Sequence, residues 1–141
     1  DSLVGSEMCI RDSTRCFDGC WGQMYTDMGF DDEYFNNGYS SFTLEENLKY
    51  FKEFLEGDSI YPSFRIVGLN RKCIHILGCL LDSENNICTV YETVLGHIDM
   101  NLRKIIEMDD SFFQSISSLK HSHDNLGSIP FDLRLAVKES V

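Results

Sequence analysis

The sequence predicts an α+β domain: one helix followed by four antiparallel strands in meander order. Three observations carry that prediction. Over residues 14–28 apolar side chains recur at three- and four-residue steps, the period of a helix with one buried stripe. The first two thirds of residues 39–58 then alternate polar and apolar, as a half-buried strand does. Three more strand-like runs follow, separated by short turns containing Gly, Asn and Asp.

Taken in order, the helix stripe is Phe17, Cys20, Trp21, Met24, Tyr25 and Met28. Gly19 and Gly22 interrupt it, which suits close packing of the backbone against a sheet, and Gly29 supplies a C-cap. Residues 30–38 read as a polar connection with a short helical turn, stopped by Asn36-Asn37-Gly38. In the organising strand, Phe42, Leu44, Leu48 and Tyr50 point one way, and Ser41, Thr43, Glu45, Asn47 and Lys49 the other. It ends at the turn Glu56-Gly57-Asp58. Residues 60–67 form the next strand, where Pro62 lacks a donor and marks an edge or a bulge. A hairpin turn is expected at Gly68-Leu69-Asn70. Residues 72–81 are apolar on both faces, the mark of a central strand. Residues 87–100 make the last long strand, with Cys88, Val90, Val94 and Ile98 on one side. An amphipathic helix through Phe112, Phe113, Ile116 and Leu119 follows over residues 111–119, and residues 120–141 read as a loosely attached tail.

The chain of 141 residues suits one domain. Its 12 Lys and Arg against 23 Asp and Glu give a net charge of −11, which opposes binding to a phosphate backbone or an anionic bilayer. Neither nucleic acid nor membrane is an expected partner, and no apolar run approaches the roughly 18 residues of a membrane span. Residues 1–13 stand apart. Their run L-V-G-S-E-M-C-I-R-D-S resembles, codon for codon, a translated adapter of transposase-made DNA libraries, so they are excluded from the fold. The expected division is 1–13 adapter-derived, 14–108 the main domain without its first strand, and 109–141 a C-terminal helix and tail. A targeting segment upstream of Thr14 stays open. Beyond Cys9, the cysteines Cys16, Cys20, Cys73, Cys79 and Cys88 are odd in number and form no C-x-x-C pair. That pattern fits buried thiols in the reducing cytoplasm, with neither disulfides nor a metal centre.

Between Phe17 and about Ile106 a set of short runs keeps a characteristic order and spacing. They are M-G-F-D-D-E-Y at 28–34, Y-S-S-F-T-L-E at 39–45, L-K-Y-F-K-E at 48–53, R-K-C-I-H at 71–75 and Y-E-T-V-L-G-H-I-D at 91–99. On these runs the chain resembles the thioesterase-like hot-dog family that includes the betainyl-CoA and 4-hydroxybenzoyl-CoA thioesterases. The resemblance implies an antiparallel sheet wrapped around one central helix. It also implies hydrolysis of an acyl-CoA thioester without a cofactor, at a site on a homodimer interface. Such enzymes carry an Asp-Tyr-Asn-Gly-His-Met-like run just before the helix, whose acid is base or nucleophile while the helix N-terminus polarises the carbonyl. Adapter-like residues stand there instead, so the resemblance implies a truncated chain without its catalytic loop, inactive in this form and prone to aggregate through an unpaired edge. A hot-dog acyl-CoA binding or assembly module without turnover is the alternative, and a hydratase of the same fold a third.

Glu45 is the candidate catalytic carboxylate, on the polar face of its strand and matching a family Glu; Glu46 has the opposite parity. His75, in the central strand, reads first as a hydrogen-bonded core histidine, with a substrate contact as the alternative. Glu92, His97 and Asp99 lie on the last strand with His97 and Asp99 on one face; they are candidate substrate contacts beside a structural or interface role, and as metal ligands the pair lacks the third that zinc needs. Arg71 and Lys72, with Arg103 and Lys104, sit at strand ends where CoA phosphates can dock. His121 and His123 fall in the tail and are expected in solvent.

Overall fold

The computed structural model describes residues 25–55, 57–129 and 132–138. Most of the helix expected over residues 14–28 lies outside them, together with Cys16 and Cys20. Residues 25–28 are helical and end as the sequence requires: Gly29 takes φ +103, its N–H reaches the Thr26 carbonyl and the Phe30 N–H reaches Tyr25. This is the paired closure that only a left-handed residue permits without strain.

Next comes α1, Asp32–Asn36, whose first turn is capped by the Asp31 carboxylate accepting from the Tyr34 amide at 3.0 Å. The strands are β1 (Tyr39–Tyr50), β2 (Tyr61–Leu69), β3 (Cys73–Leu81), β4 (Ile87–Asp99) and the short β5 (Lys104–Ile105). Helix α2, Asp110–Asp124, is capped by Asp109 and runs beyond the expected residues 111–119.

All pairings are antiparallel, and the sheet order is β1-β4-β3-β2 with β5 on β4. The meander expectation therefore holds for β2, β3 and β4 and fails for β1, which crosses the sheet to pair with β4 from Tyr39 opposite Asp99 to Tyr50 opposite Thr89. The 13-residue β4 is buried on both faces and needs a neighbour on each side, whereas β2, with Pro62 unable to donate, suits the far end. The crossing also explains why β1 stops at Tyr50 instead of reaching residue 58. Phe51 and Lys52 donate to the Cys88 carbonyl, the chain leaves the sheet, and Phe54 is buried against Leu80 and Cys88.

The strict alternation read into β1 is broken by a bulge: the register skips between Thr43 and Glu45, leaving Leu44 without an opposite residue. Phe42 lies opposite Gly96 and Leu48 opposite Tyr91, so they face opposite ways. Leu48 packs on the Phe54 cluster, while Phe42, Leu44 and Tyr50 remain 46%, 43% and 37% exposed. Gly96 belongs to this arrangement, since a Cβ there would meet Leu44 at 3.1 Å and Ile105 at 3.3 Å.

One face of the sheet carries the main core, Ile66, Leu69, Ile74, Ile76 and Leu95, closed by Met28, Phe30 and Tyr34 before β1 and by Met108 and Ile116 around α2. The turn after β2 lies later than expected: Gly68 and Leu69 are in the strand, and the Asn70 side chain accepts from Lys72 and Cys73 to close the hairpin. The tail is not loose. Arg134 and Leu135 donate their amides to Glu92, the Lys138 carbonyl accepts from Asn70, and Gly127 accepts from Arg65. Nor is His123 in solvent: its Nδ1 accepts the free edge amide of Ile66 at 2.9 Å.

Because Ile76 is fully buried at the centre of β3, Ile76→Ala is expected to lower the unfolding free energy by about 2–5 kcal/mol in urea, with an unchanged denaturant slope.

Candidate functional site

β4 presents its polar side chains to two different places. Glu92 faces one side of the sheet and His97 the other, because they are an odd number of residues apart on one regular strand.

On the first side, Glu92 is 1% exposed and His75, on neighbouring β3, is 2% exposed. His75 Nε2 lies 3.0 Å from Glu92 Oε1. The tail completes the carboxylate: Arg134 N–H donates to Oε2 at 2.8 Å and Leu135 N–H to Oε1 at 3.0 Å. A buried carboxyl is tolerated only when its oxygens are bonded, and here each oxygen has a donor. Gly68, opposite His75, keeps the room needed, since a Cβ there would meet His75 at 3.1 Å and Val137 at 3.5 Å. The group holds β3, β4 and the tail together.

On the second side, His97 opens on a cleft of about 340 Å³ bounded by α1, the start of β1 and the start of α2. Its Nδ1 lies 2.7 Å from the Tyr34 hydroxyl, which also reaches the Ser40 carbonyl at 2.9 Å. Tyr34 stacks on Phe112 at 4.9 Å, and Tyr39 lies 4.9 Å from the imidazole. Burial depresses the His97 pKa against the opposing pull of Asp109 and Asp99, and burial likewise raises that of Tyr34 well above the ordinary phenol. Both groups are neutral at neutral pH.

The structure joins His75 to Glu92 and keeps both apart from His97. Asp99 shares the His97 face, but its carboxylate accepts from the amides of Asn101 and Leu102 and shapes the turn into β5. Glu45 is exposed opposite Val94, and its carbonyl accepts from Thr93. Arg71 pairs with Asp110 and Glu107 and covers the Phe113 ring at 4.7 Å, fastening the β2–β3 turn to α2. Lys72 is exposed at the same turn. The side chains of Glu45, Arg71 and Lys72 bond to neither group among the described residues, while the Lys72 carbonyl accepts the His97 amide at 2.8 Å. Sequence reasoning passed over Tyr34, Tyr39 and Phe112, whose aromatic spacing around two capped helix starts was the available signal. The Arg134 and Leu135 amides leave no trace in residue identity. Among the described residues no group of three or more His, Cys, Asp or Glu is placed to hold a metal, and Cys73, Cys79 and Cys88 are free thiols.

Comparison with known proteins adds the following. A sequence profile of the thioesterase-like superfamily matches residues 9–116. A curated relative, an L-carnitine dehydrogenase/betainyl-CoA thioesterase of Rhizobium sp, is 21% identical over 100 residues, which are 70% of this chain and 20% of that protein, so the chain spans about a fifth of its length. Among solved structures, a hypothetical Staphylococcus aureus protein in complex with CoA superimposes with a TM-score of 0.80 at 20% identity, covering 97% of this chain and 85% of the other. A DHNA-CoA thioesterase from the same organism gives 0.71 at 15% identity, over 94% and 88%. The 1,4-dihydroxy-2-naphthoyl-CoA thioesterase of Synechocystis gives 0.68 at 11%, over 82% and 87%. At these identities the likeness establishes the fold: the antiparallel sheet with a helix packed on it is that of the hot-dog thioesterases.

Removing the Glu92 carboxylate strands the buried His75 and two part-buried amides. Glu92→Ala is expected to cost about 3–5 kcal/mol and to accelerate amide exchange at Arg134 and Leu135, whereas Glu45→Ala stays within about 0.5 kcal/mol. A second expectation concerns pH. Burial holds the folded-state pKa of His97 and of His123 below the ordinary 6.5, so the unfolded chain takes up protons first. The stability they contribute is complete above about pH 6.5 and is lost as pH falls through their folded values, so the urea midpoint should drop between about pH 7.5 and about pH 5. His123→Gln should flatten part of that fall.

Proposed function

The chain belongs to the thioesterase-like superfamily, and we propose that within it the protein hydrolyses an acyl-CoA thioester to the free acid and CoA, as a homodimer in the cytoplasm. The observation that carries the reading is the superfamily match across residues 9–116, which contains the whole five-stranded sheet. Two further observations support it: fold likeness to CoA thioesterases, and to a protein solved with CoA bound. The free thiols of Cys73, Cys79 and Cys88 suit the reducing setting.

In this proposal Glu45 is the carboxylate that orients the attacking water. It stands exposed on β1, at the end of the sheet, where among the described residues no strand pairs with the outer edge. Exposed Phe42 and Leu44 flank that edge and suit a second copy joining sheet to sheet, which would bring Glu45 to the interface. Lys72, exposed at the β2–β3 turn beside Arg71, is proposed to meet the CoA phosphates. His75 and Glu92 serve the site by fixing the strands, and Asp99 by shaping the turn beside His97.

A second reading, an acyl-CoA binding module without turnover, is favoured by one observation. The described carboxylates on β4 are both engaged, Glu92 with His75 and the tail, Asp99 with its turn. Thiol release from a panel of acyl-CoAs decides between the readings. Hydrolysis of at least one member is expected, with kcat falling about a hundredfold in Glu45→Ala; CoA binding with no turnover of any member would establish the module instead. Light scattering should show a dimer that Phe42→Lys with Leu44→Lys converts to a monomer, and a monomeric parent protein would sink the dimer.

A further inference from the structure

The His97 cleft holds a polar atom without a partner among the described residues. The Tyr34 hydroxyl has one proton and two neighbours, and the Ser40 carbonyl can only accept it. His97 must then be the donor at 2.7 Å, which puts the ring proton on Nδ1 and a lone pair on Nε2. The side chain is 4% exposed and lines the cleft, yet Nε2 has no hydrogen-bond partner among the described residues. It is not sealed in either: among the described residues the fully enclosed unpaired side-chain atom is Thr89 Oγ1, at the other end of β4. An acceptor at the back of a cleft that no described residue satisfies suits a donor entering the cleft.

The walls define that donor. Asp31, Glu33 and Asp109 line the cleft, and neither a lysine nor an arginine does. Asp31 and Asp109 already cap their helices, so the positive helix ends are met and the net field is negative. An anion is disfavoured. A metal ion is disfavoured as well, because no three ligating side chains converge among the described residues. The remaining wall is aromatic: Tyr39 and Phe112 flank the imidazole at 4.9 and 5.7 Å. Faces of that kind attract cations and cover alkyl groups. The volume, about 340 Å³, is at the small end of ligand sites.

We propose that this cleft binds a small organic ammonium ion, its N–H donating to His97 Nε2, its charge facing Glu33 and its alkyl chain lying on Tyr39 and Phe112. The site stands on the opposite face of β4 from Glu92 and does not rest on the thioesterase reading. The test is a titration of the full chain with n-butylammonium chloride, followed by the nitrogen resonances of the histidine rings. A saturable shift of the His97 Nε2 resonance is expected, absent with tetramethylammonium, which has no N–H to donate. Glu33 is exposed, so Glu33→Gln leaves the fold intact and should weaken the affinity about threefold. No saturable shift with butylammonium, an equal shift with sodium butyrate, or an affinity indifferent to Glu33→Gln would overturn the proposal.

Discussion

The constraint on which the rest of the structure depends is the double burial of β4. This strand is hydrogen-bonded along both edges and covered on both faces, and ten of its thirteen residues are buried. Four of those ten carry polar side chains: Thr89, Glu92, Thr93 and His97. A polar group taken out of water must find a partner inside or destabilise the fold by about 1–3 kcal/mol. For three of the four the molecule answers with a partner from a different element. Glu92 takes His75 from β3 and two amides from the tail, Thr93 takes a carbonyl from β1, and His97 takes Tyr34 from α1. Thr89 Oγ1 alone among these goes unpaired. These bonds draw the tail over one face of the sheet and α1 over the other.

The same constraint sets the topology. Strand β1 is needed as the second neighbour of β4, so the chain must travel from one end of the sheet to the other before β2 begins. Phe54 makes that passage productive by closing the sheet end over Leu80 and Cys88. The consequence for function is that, among the described residues, no strand covers the outer edge of β1, which carries Phe42 and Leu44 beside Glu45. Dimerisation and chemistry, as proposed, both follow from the place that β1 occupies.

Much of this was legible in the chain. The apolar run of β3 announced a central strand, Pro62 an edge or a bulge, Gly29 a left-handed cap, and Gly68-Leu69-Asn70 a hairpin turn that falls slightly later. The order of the strands was not, because alternation reports which face a residue takes and not which strand lies beside it. The bulge at Leu44 was equally silent: one skipped residue reverses the faces that follow without changing composition. The site divided in the same way. His75, Glu92 and His97 stood out as polar residues in apolar strands, which is what a buried strand must solve. Their partners did not stand out, since a backbone amide at Arg134 or Leu135 carries no signal in residue type, and Tyr34 read as one aromatic among several in a polar connection.

The central claim is that Glu92 and His75 act as one buried unit that fixes β3, β4 and the tail. A double-mutant cycle of Glu92→Gln and His75→Gln, followed by urea unfolding, tests it most directly. The account predicts a coupling of about 1–3 kcal/mol, each single variant costing most of what the pair costs together. Additive effects, within about 0.5 kcal/mol, would contradict it.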